Sequence, residues 1–150
     1  MAHILIVDDN PTLRAAMHRL LAGHGHRVTQ ASSGREALRV FRAGGVDLVV
    51  LETVMPEMDG VETLAALRKI DRSARVLAVS GGGSNASSLY LEISKAMGAT
   101  QILAKPFSPE NFLCTVAAAL NHCQEATREA PSVPSPVKVQ SGPASGPLPP

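Results

Sequence analysis

The amino-acid sequence predicts an α/β fold, namely a doubly wound, five-stranded parallel sheet in the order 2-1-3-4-5 with helices on both faces. Two observations lead to this prediction. Short runs that are apolar at every position alternate with longer segments whose apolar residues recur at helical spacing. Five such strand–helix units fit into the first 123 residues, which is enough chain for one buried core.

The predicted strands are short. Four of them are continuously apolar, as expected for strands buried on both faces of a parallel sheet, and a weaker fifth candidate is mixed in polarity. In chain order they are Ile4 to Val7, Arg27 to Ala31 (the weaker one), Leu48 to Leu51, Val76 to Val79 and Ile102 to Ala104. Neighbouring parallel strands need a crossover connection, and the segments between these runs have helical character.

The predicted helices are recognised by their starts and their apolar stripes. Asn10 and Pro11 supply an N-cap and a first-turn proline for the first helix. Ser33 and Glu36 have capping-box spacing at the start of the second, and Ser108 precedes the fifth. The stripes are Leu13, Met17, Leu20 and Leu21; Ala37, Val40 and Phe41; Val61, Leu64 and Leu67; Leu89, Ile93 and Met97 before a Gly98 stop; and Phe112, Val116 and Leu120. We expect each stripe to face the sheet.

The composition changes near Gln124. From Pro131 to Pro150, seven of twenty residues are proline and little of the segment could pack. We therefore divide the chain into a folded domain over residues 1–123 and a disordered, Pro/Ser-rich tail over residues 124–150. Some prolines have the spacing of polyproline-II ligands, so docking is an alternative to a linker role, which is the more common one.

Charge and composition exclude several functions. Lys and Arg number 14 against 13 Asp and Glu, so no overall field attracts nucleic acid or a membrane surface. No apolar run is long enough to span a bilayer and the start lacks a secretory leader, so we expect a cytoplasmic protein.

Cys114 and Cys123 lie nine residues apart on opposite faces of one helix, which excludes a disulfide between them. The five histidines have no zinc-ligand spacing.

Polar residues occur at the ends of four predicted strands. Asp8 and Asp9 follow the first strand, Glu52 the third, Ser80 the fourth and Lys105 the fifth. The carboxyl ends of parallel strands meet at one edge, where such sheets bind ligands. Each residue alone has a structural explanation as a cap or turn residue, but five at one edge indicate a site. Three carboxylates placed together require a cation, and oxygen ligands suit Mg²⁺, while a lysine and a hydroxyl can hold phosphoryl oxygens.

Three segments resemble the signatures of response-regulator receiver domains. They are the run ILIVDDN at residues 4–10, DLVVLETVMPEMDG at 47–60 and LAKPF at 103–107. The resemblance covers residues 2 to 123. It implies a flavodoxin-like fold in which a sensor histidine kinase or phosphotransfer protein donates a phosphoryl group to an aspartate at the end of the third strand. It also implies a downstream protein target.

The resemblance assigns roles by position. Asp8 and Asp9 correspond to the acidic pocket, and the metal ligands carried over are Asp8, Asp9, Glu52 and the backbone carbonyl of Val54, with weakly bound Mg²⁺ as the cofactor. Ser80 corresponds to the switch hydroxyl and Lys105 to the phosphate-pairing lysine.

The same resemblance has consequences for the backbone around the site. It implies a cis peptide bond between Lys105 and Pro106. It also implies that Pro56 and Gly60 shape the loop over the site.

Three positions depart from the family pattern. Glu52 stands where the family requires the phosphoacceptor aspartate, so we predict a phosphorylation-independent or phosphomimetic domain. In the phosphomimetic case, Glu52 attracts Lys105 and accepts a hydrogen bond from Ser80; the alternative is that it only preserves the charge balance of the metal site. Ile102 replaces an aromatic switch residue, and the loop of residues 81–86 is long for the family, which fits a flexible insertion better than a phosphate-binding loop.

Two function classes remain open on the sequence alone. The first is a non-enzymatic module whose fourth helix, fifth strand and fifth helix form a partner-binding surface, as the resemblance implies. The second is a Mg²⁺-dependent phosphotransfer or phosphatase enzyme on the same fold. The absence of a substrate domain and of a His or Cys nucleophile near the acidic edge favours the module.

Overall fold

The computed structural model describes residues 1–56, 58–81 and 85–129, with the backbone alone over 85–88 and 122–129. Its elements in chain order are β1 (His3–Val7), α1 (Pro11–Gly23), β2 (Arg27–Ala31), α2 (Gly34–Arg42), β3 (Leu48–Glu52), α3 (Gly60–Ile70), β4 (Val76–Ser80), α4 (Asn85–Ala96), β5 (Gln101–Ala104) and α5 (Pro109–Glu129). The strands form one five-stranded sheet in the order β2-β1-β3-β4-β5. All four strand pairs are parallel, which confirms the predicted fold class.

The central strands are buried along their whole length, as their uninterrupted apolar sequences predict. β3 and β4 each run one residue further than predicted, so Glu52 and Ser80 are the last residues of their strands rather than the first residues of loops. The backbone amide of Thr53 donates to the Val79 carbonyl at 2.8 Å, and that of Lys105 donates to the Ser80 carbonyl at 2.8 Å. These bonds continue the ladder past the strand ends and fix the polar edge.

Each face of the sheet carries its own apolar core. One cluster comprises Ile4, Ile6, Met17, Leu21, Leu48, Val50, Leu77, Val79, Phe112, Val116 and Ala119, which joins α1 and α5 to the sheet. The other comprises Leu5, Val7, Ala31, Ala37, Leu38, Val49, Leu51, Met55, Leu64, Leu67 and Val76, which joins α2 and α3. Successive residues of a strand point to opposite faces, so neighbours in sequence enter different clusters.

The helix starts are capped largely as predicted. The Asn10 side chain accepts from the amides of Thr12 and Leu13 at the start of α1. At α2 the Ser33 hydroxyl accepts from the Glu36 amide, but the Glu36 carboxylate bonds to the amide and hydroxyl of Ser32 instead of returning to Ser33. The backbone hydrogen bond from Ser32 lowers the pKa of Glu36.

The predicted orientation of α4 is wrong for Leu89 and Ile93, whereas Met97, the third residue of the predicted stripe, packs against the core. Leu89 and Ile93, expected to face the sheet, are 56% and 36% exposed, whereas Leu91 and Ser94 are buried. Residues three or four positions apart share one face of a helix, and only one face of α4 can pack against β4 and β5. That face carries Leu91. An apolar pair, Leu89 and Ile93, is therefore left in solvent on α4.

The last helix, α5, continues to Glu129, six residues beyond the predicted domain boundary at Cys123; the division into a domain and a tail stays a prediction. The sequence from Gln124 loses its apolar stripe but keeps residues of high helix propensity, such as Glu125, Ala126 and Arg128, which favour continuation of the helix. Cys114 is a free, exposed thiol, and the Cys123 side chain and residues 130–150 lie outside the described part of the chain. No helix among the described residues is long and apolar enough to cross a membrane.

We expect removal of all residues after Gln124 to change the free energy of unfolding by less than about 0.5 kcal/mol, because little apolar burial is lost. Thermal unfolding of the shortened and full chains measures this. Val116→Ala, which empties a fully buried position, is the positive control and should cost about 1 kcal/mol or more. A truncation that costs as much as this control would show that the tail docks on the domain.

Candidate functional site

The structure brings the predicted polar residues together at the carboxyl edge of the sheet. Glu52 ends β3, Ser80 ends β4 and Lys105 follows β5, while Asp8 directly follows β1 and its amide bonds to the Ala31 carbonyl of β2. Asp8, Glu52 and Ser80 are buried, with exposures of 2%, 4% and 1%. Three polar groups withdrawn from water at one point need partners, so their contacts decide what the site can do.

Lys105 lies between two of the three carboxylates. Its Nζ is 2.5 Å from Glu52 Oε1 and 3.2 Å from Asp8 Oδ2. The Lys105 side chain is 19% exposed, so this is a mostly buried arrangement of one cation and two anions. The ammonium therefore supplies the positive charge that adjacent carboxylates require.

The two ion pairs affect the protonation of Lys105. Burial of the ammonium acts to lower its pKa, but the hydrogen bond and negative charge of Glu52, followed by those of Asp8, outweigh burial, so the pKa of Lys105 is raised. Lys105 is thus held in its charged form throughout the physiological pH range.

The Glu52 carboxylate has two partners, one predicted and one not. Oε1 pairs with Lys105, as expected, and Oε2 accepts from the backbone amide of Val54 at 3.1 Å. The predicted hydrogen bond from Ser80 is not formed, because Ser80 Oγ is buried without a hydrogen-bond partner among the described residues. The Glu52 carboxylate is already held by the lysine and by the Val54 amide. Thr53 Oγ1 is also buried without a hydrogen-bond partner among the described residues.

The acidic residues do not converge as expected for a three-carboxylate metal centre. Asp9 is exposed, while Asp8 and Glu52 share Lys105. In the part of the chain that the structure describes, no group of three or more His, Cys, Asp or Glu side chains is arranged to hold a metal ion. The ammonium of Lys105 is the cation that lies next to Asp8 and Glu52. The oxygen donors at this edge are nevertheless of the kind that Mg²⁺ prefers.

The loop that follows β3 is constrained at Gly60. A Cβ atom on Gly60 would lie against the Glu52 carbonyl oxygen and Thr53 Cα, closer than atoms can approach. The Gly60 amide donates to the Thr53 carbonyl at 2.9 Å, which closes the loop over the strand end. The Lys105–Pro106 peptide bond is cis, as expected. The loop predicted over residues 81–86 ends earlier than predicted, because α4 begins at Asn85. Residues 57 and 82–84 lie outside the described residues, so the role of this loop stays a prediction.

Arg14 is part of the site and was missed from the sequence. Its Nη1 donates to the Asp8 carbonyl at 2.6 Å, and its Nε donates to Gln30 Oε1 at 2.9 Å. The signal was present, because Arg14 lies one turn after the cap residue Asn10, and its amide bonds to the Asn10 carbonyl. A long donor at that position can reach back to the loop before the helix.

Comparisons with known proteins agree with the fold. A family model described as the response regulator receiver domain matches residues 4–117. The chain is 34% identical to the chemotaxis protein CheY of Bacillus subtilis over 123 residues, covering 81% of this chain and all of that one. A solved structure of the chemotaxis protein CheY4 of Vibrio cholerae is 33% identical, with a TM-score of 0.72 and coverage of 80% and 99% of the two chains. The response regulator TrrA of Thermotoga maritima, solved in complex with Mg²⁺ and BeF, is 30% identical with a TM-score of 0.70, covering 80% of this chain and 100% of its own.

Proposed function

Since the chain belongs to the response-regulator receiver family, we propose that it is a two-component signalling module that works through protein–protein contacts without being phosphorylated itself. The observation that carries this proposal is the ion pair of 2.5 Å between Glu52 Oε1 and Lys105 Nζ. By position, Glu52 replaces the phosphoacceptor aspartate and Lys105 is the lysine that would pair with its phosphoryl group. The lysine thus has an anionic partner before any phosphoryl group arrives.

The extra methylene of Glu52 explains the contact. Compared with aspartate, glutamate carries its carboxylate about 1.5 Å further from the backbone. That displacement places Glu52 Oε1 on Lys105 and directs Oε2 to the amide of Val54. The Glu52 side chain therefore occupies part of the space in which phosphoryl oxygens would lie.

The mimicry of a phosphoryl group is partial. Glu52 contributes one negative charge where a phosphoryl group carries close to two. It engages Lys105 but not Ser80, whose buried hydroxyl makes no hydrogen bond to the described residues. A two-state domain is biased only by the contacts that differ between its states. Glu52 therefore reproduces the contact of a phosphoryl group with Lys105 but not its contact with Ser80.

The decisive experiment is incubation with acetyl phosphate and Mg²⁺. The wild-type chain should take up no acid-labile phosphate, because Glu52 is held by Lys105 and Val54. The same incubation addresses the alternative of a Mg²⁺-dependent phosphotransfer or phosphatase enzyme, since catalytic consumption of the donor would favour the enzyme over the module.

Mg²⁺ fits the proposed module as a weakly bound cofactor. The ligands are Asp8, Asp9, Glu52 and the backbone carbonyl of Val54, all hard oxygen donors. When bound, the ion would supply positive charge to the acidic edge. The related TrrA structure contains Mg²⁺, which supports the proposal. Lys105 already neutralises Asp8 and Glu52, so the ion gains less from them than it would from free carboxylates.

We expect Asp9→Asn to weaken Mg²⁺ binding at least about tenfold, because Asp9 is the one acidic ligand that is exposed and not paired with Lys105. Isothermal titration of both proteins with MgCl₂ measures this. The matched control is Asp71→Asn at the end of α3, far from the acidic edge. Equal affinities of the wild type and Asp9→Asn would place the metal elsewhere.

The downstream target is a protein that binds the exposed part of α4. Leu89 and Ile93 present an apolar surface there, and such surfaces are typical of sites that bind partners. The near-neutral charge balance gives no support for nucleic acid as the target. The upstream partner of the family is a sensor histidine kinase or phosphotransfer protein, and a cytoplasmic location suits both.

A further inference from the structure

We propose that Gln30, on the edge strand β2, is a positioning residue for the acidic loop, because it holds the Arg14 guanidinium against the backbone carbonyl of Asp8. The inference rests on the proposed function, in which Asp8 and Asp9 contribute to Mg²⁺ binding. It adds a residue from outside the carboxyl-edge cluster to the machinery of the site.

The contacts form a continuous chain from α1 and β2 to the loop. Arg14 Nη1 donates to Asp8 O at 2.6 Å, and Arg14 Nε donates to Gln30 Oε1 at 2.9 Å. The chain ends with Gln30 Nε2 and His18 Nδ1, which are 2.8 Å apart. Each of these contacts is partly buried, so water competes with it only in part.

The direction of every bond in this chain follows from chemistry. A guanidinium has only donors, so the group of Gln30 that faces Arg14 must be its carbonyl oxygen. The Gln30 amide nitrogen therefore faces His18 and donates, and His18 Nδ1 accepts, which leaves the ring proton on Nε2. This is the single assignment in which each contact pairs a donor with an acceptor. Gln30 is thus oriented from one side by Arg14 and from the other by His18.

The arrangement fixes the peptide group between Asp8 and Asp9. The Asp8 amide bonds to Ala31, the Asp8 carboxylate accepts from the Asn10 amide at 2.9 Å, and Arg14 holds the Asp8 carbonyl. With its carbonyl held by a charged donor, Asp8 keeps its carboxylate towards Lys105 while Asp9 points into solvent. Without the Gln30 acceptor, the long Arg14 side chain regains the rotamer freedom that the contact removes.

Two substitutions separate positioning from packing. Gln30→Leu keeps the approximate shape but removes both the acceptor for Arg14 and the donor to His18, whereas Gln30→Glu loses only the donor, keeps an oxygen for Arg14 and strengthens that bond with a charge. We expect Gln30→Leu to weaken Mg²⁺ binding by roughly tenfold, as loss of a group that orients a ligand does. Gln30→Glu should retain the wild-type affinity or exceed it slightly.

The second readout does not depend on the metal. The Asp8 carbonyl and the Asp9 amide belong to the same peptide group, so the ¹⁵N chemical shift of Asp9 reports the hydrogen bond from Arg14. In metal-free protein we expect this signal to move in Gln30→Leu and to stay near its wild-type position in Gln30→Glu. Thermal unfolding of each variant confirms that the folded state is being compared.

An unmoved Asp9 signal in Gln30→Leu would overturn the inference, whatever the metal affinity. So would equal Mg²⁺ affinities of Gln30→Leu and wild type, or a loss in Gln30→Leu matched by an equal loss in Gln30→Glu. If the wild type binds no Mg²⁺, the metal part of the proposed function fails, and the Asp9 signal alone decides whether Gln30 anchors the loop through Arg14.

Discussion

Glu52→Asp should convert a domain that takes up no phosphate into one that takes up about one acid-labile phosphoryl group per chain from acetyl phosphate and Mg²⁺. The shorter side chain withdraws the carboxylate about 1.5 Å from Lys105, which opens space for an incoming phosphoryl group beside the lysine. Lys105, now without its 2.5 Å partner, can then pair with the transferred oxygens. Phosphate incorporation measured with labelled donor, before and after acid treatment, reports the change.

Two controls sharpen this experiment. Glu52→Gln keeps the length of the side chain but removes its charge, so it should take up no phosphate. The double variant Glu52→Asp with Asp9→Asn should take up phosphate slowly, since the metal site is weakened. Wild-type uptake at the rate of Glu52→Asp would refute the proposal that this receiver works without phosphorylation.

Lys105→Met should lower the free energy of unfolding at neutral pH by about 3–5 kcal/mol, the cost typical of removing one partner from a buried ionic group. The change leaves the buried carboxylates of Asp8 and Glu52 facing each other without the ammonium they now share. Urea unfolding monitored by circular dichroism measures the loss. Lys95→Met, at an exposed position of α4, is the control and should cost little.

The pH dependence of the same pair of proteins provides a further check. Because the pKa of Lys105 is raised in the folded state, the ion pairs contribute their full stability below the ordinary lysine pKa of 10.5. That contribution is lost as the pH rises through the higher pKa of the folded state. The wild type should therefore lose stability in strongly alkaline solution by more than Lys105→Met does. Parallel alkaline curves for the two proteins would mean that the charge of Lys105 contributes no net stability.

The strands and most helix starts were predictable because the local sequence decides them. Buried parallel strands must be apolar at every position, and the cap of Asn10 followed by Pro11 leaves the start of α1 little freedom. The site residues at the carboxyl edge followed from topology, since strand ends in such a sheet converge.

What the sequence could not determine depends on competition between alternatives. In α4, the face with Leu91 and Ser94 is buried against the sheet while Leu89 and Ile93 are exposed, and the spacing of the apolar residues alone could not reveal this orientation. At the site, Lys105 pairs with both Asp8 and Glu52, and residue spacing in the sequence could not show that the lysine reaches both carboxylates. The helix α5 extends past Cys123 to Glu129, because helix propensity can continue a helix beyond the end of the apolar stripe in the sequence.

The two strands at the margins of the sheet also bear on how the domain behaves at high concentration. β2 carries the exposed Arg27 and the partly exposed polar residues Thr29 and Gln30, and β5 is only four residues long. Charged, polar and short margins are poor templates for the backbone of another chain. The central strands, whose apolar sequences would be the most prone to fibril formation, are shielded on both sides by margins that discourage intermolecular strand addition.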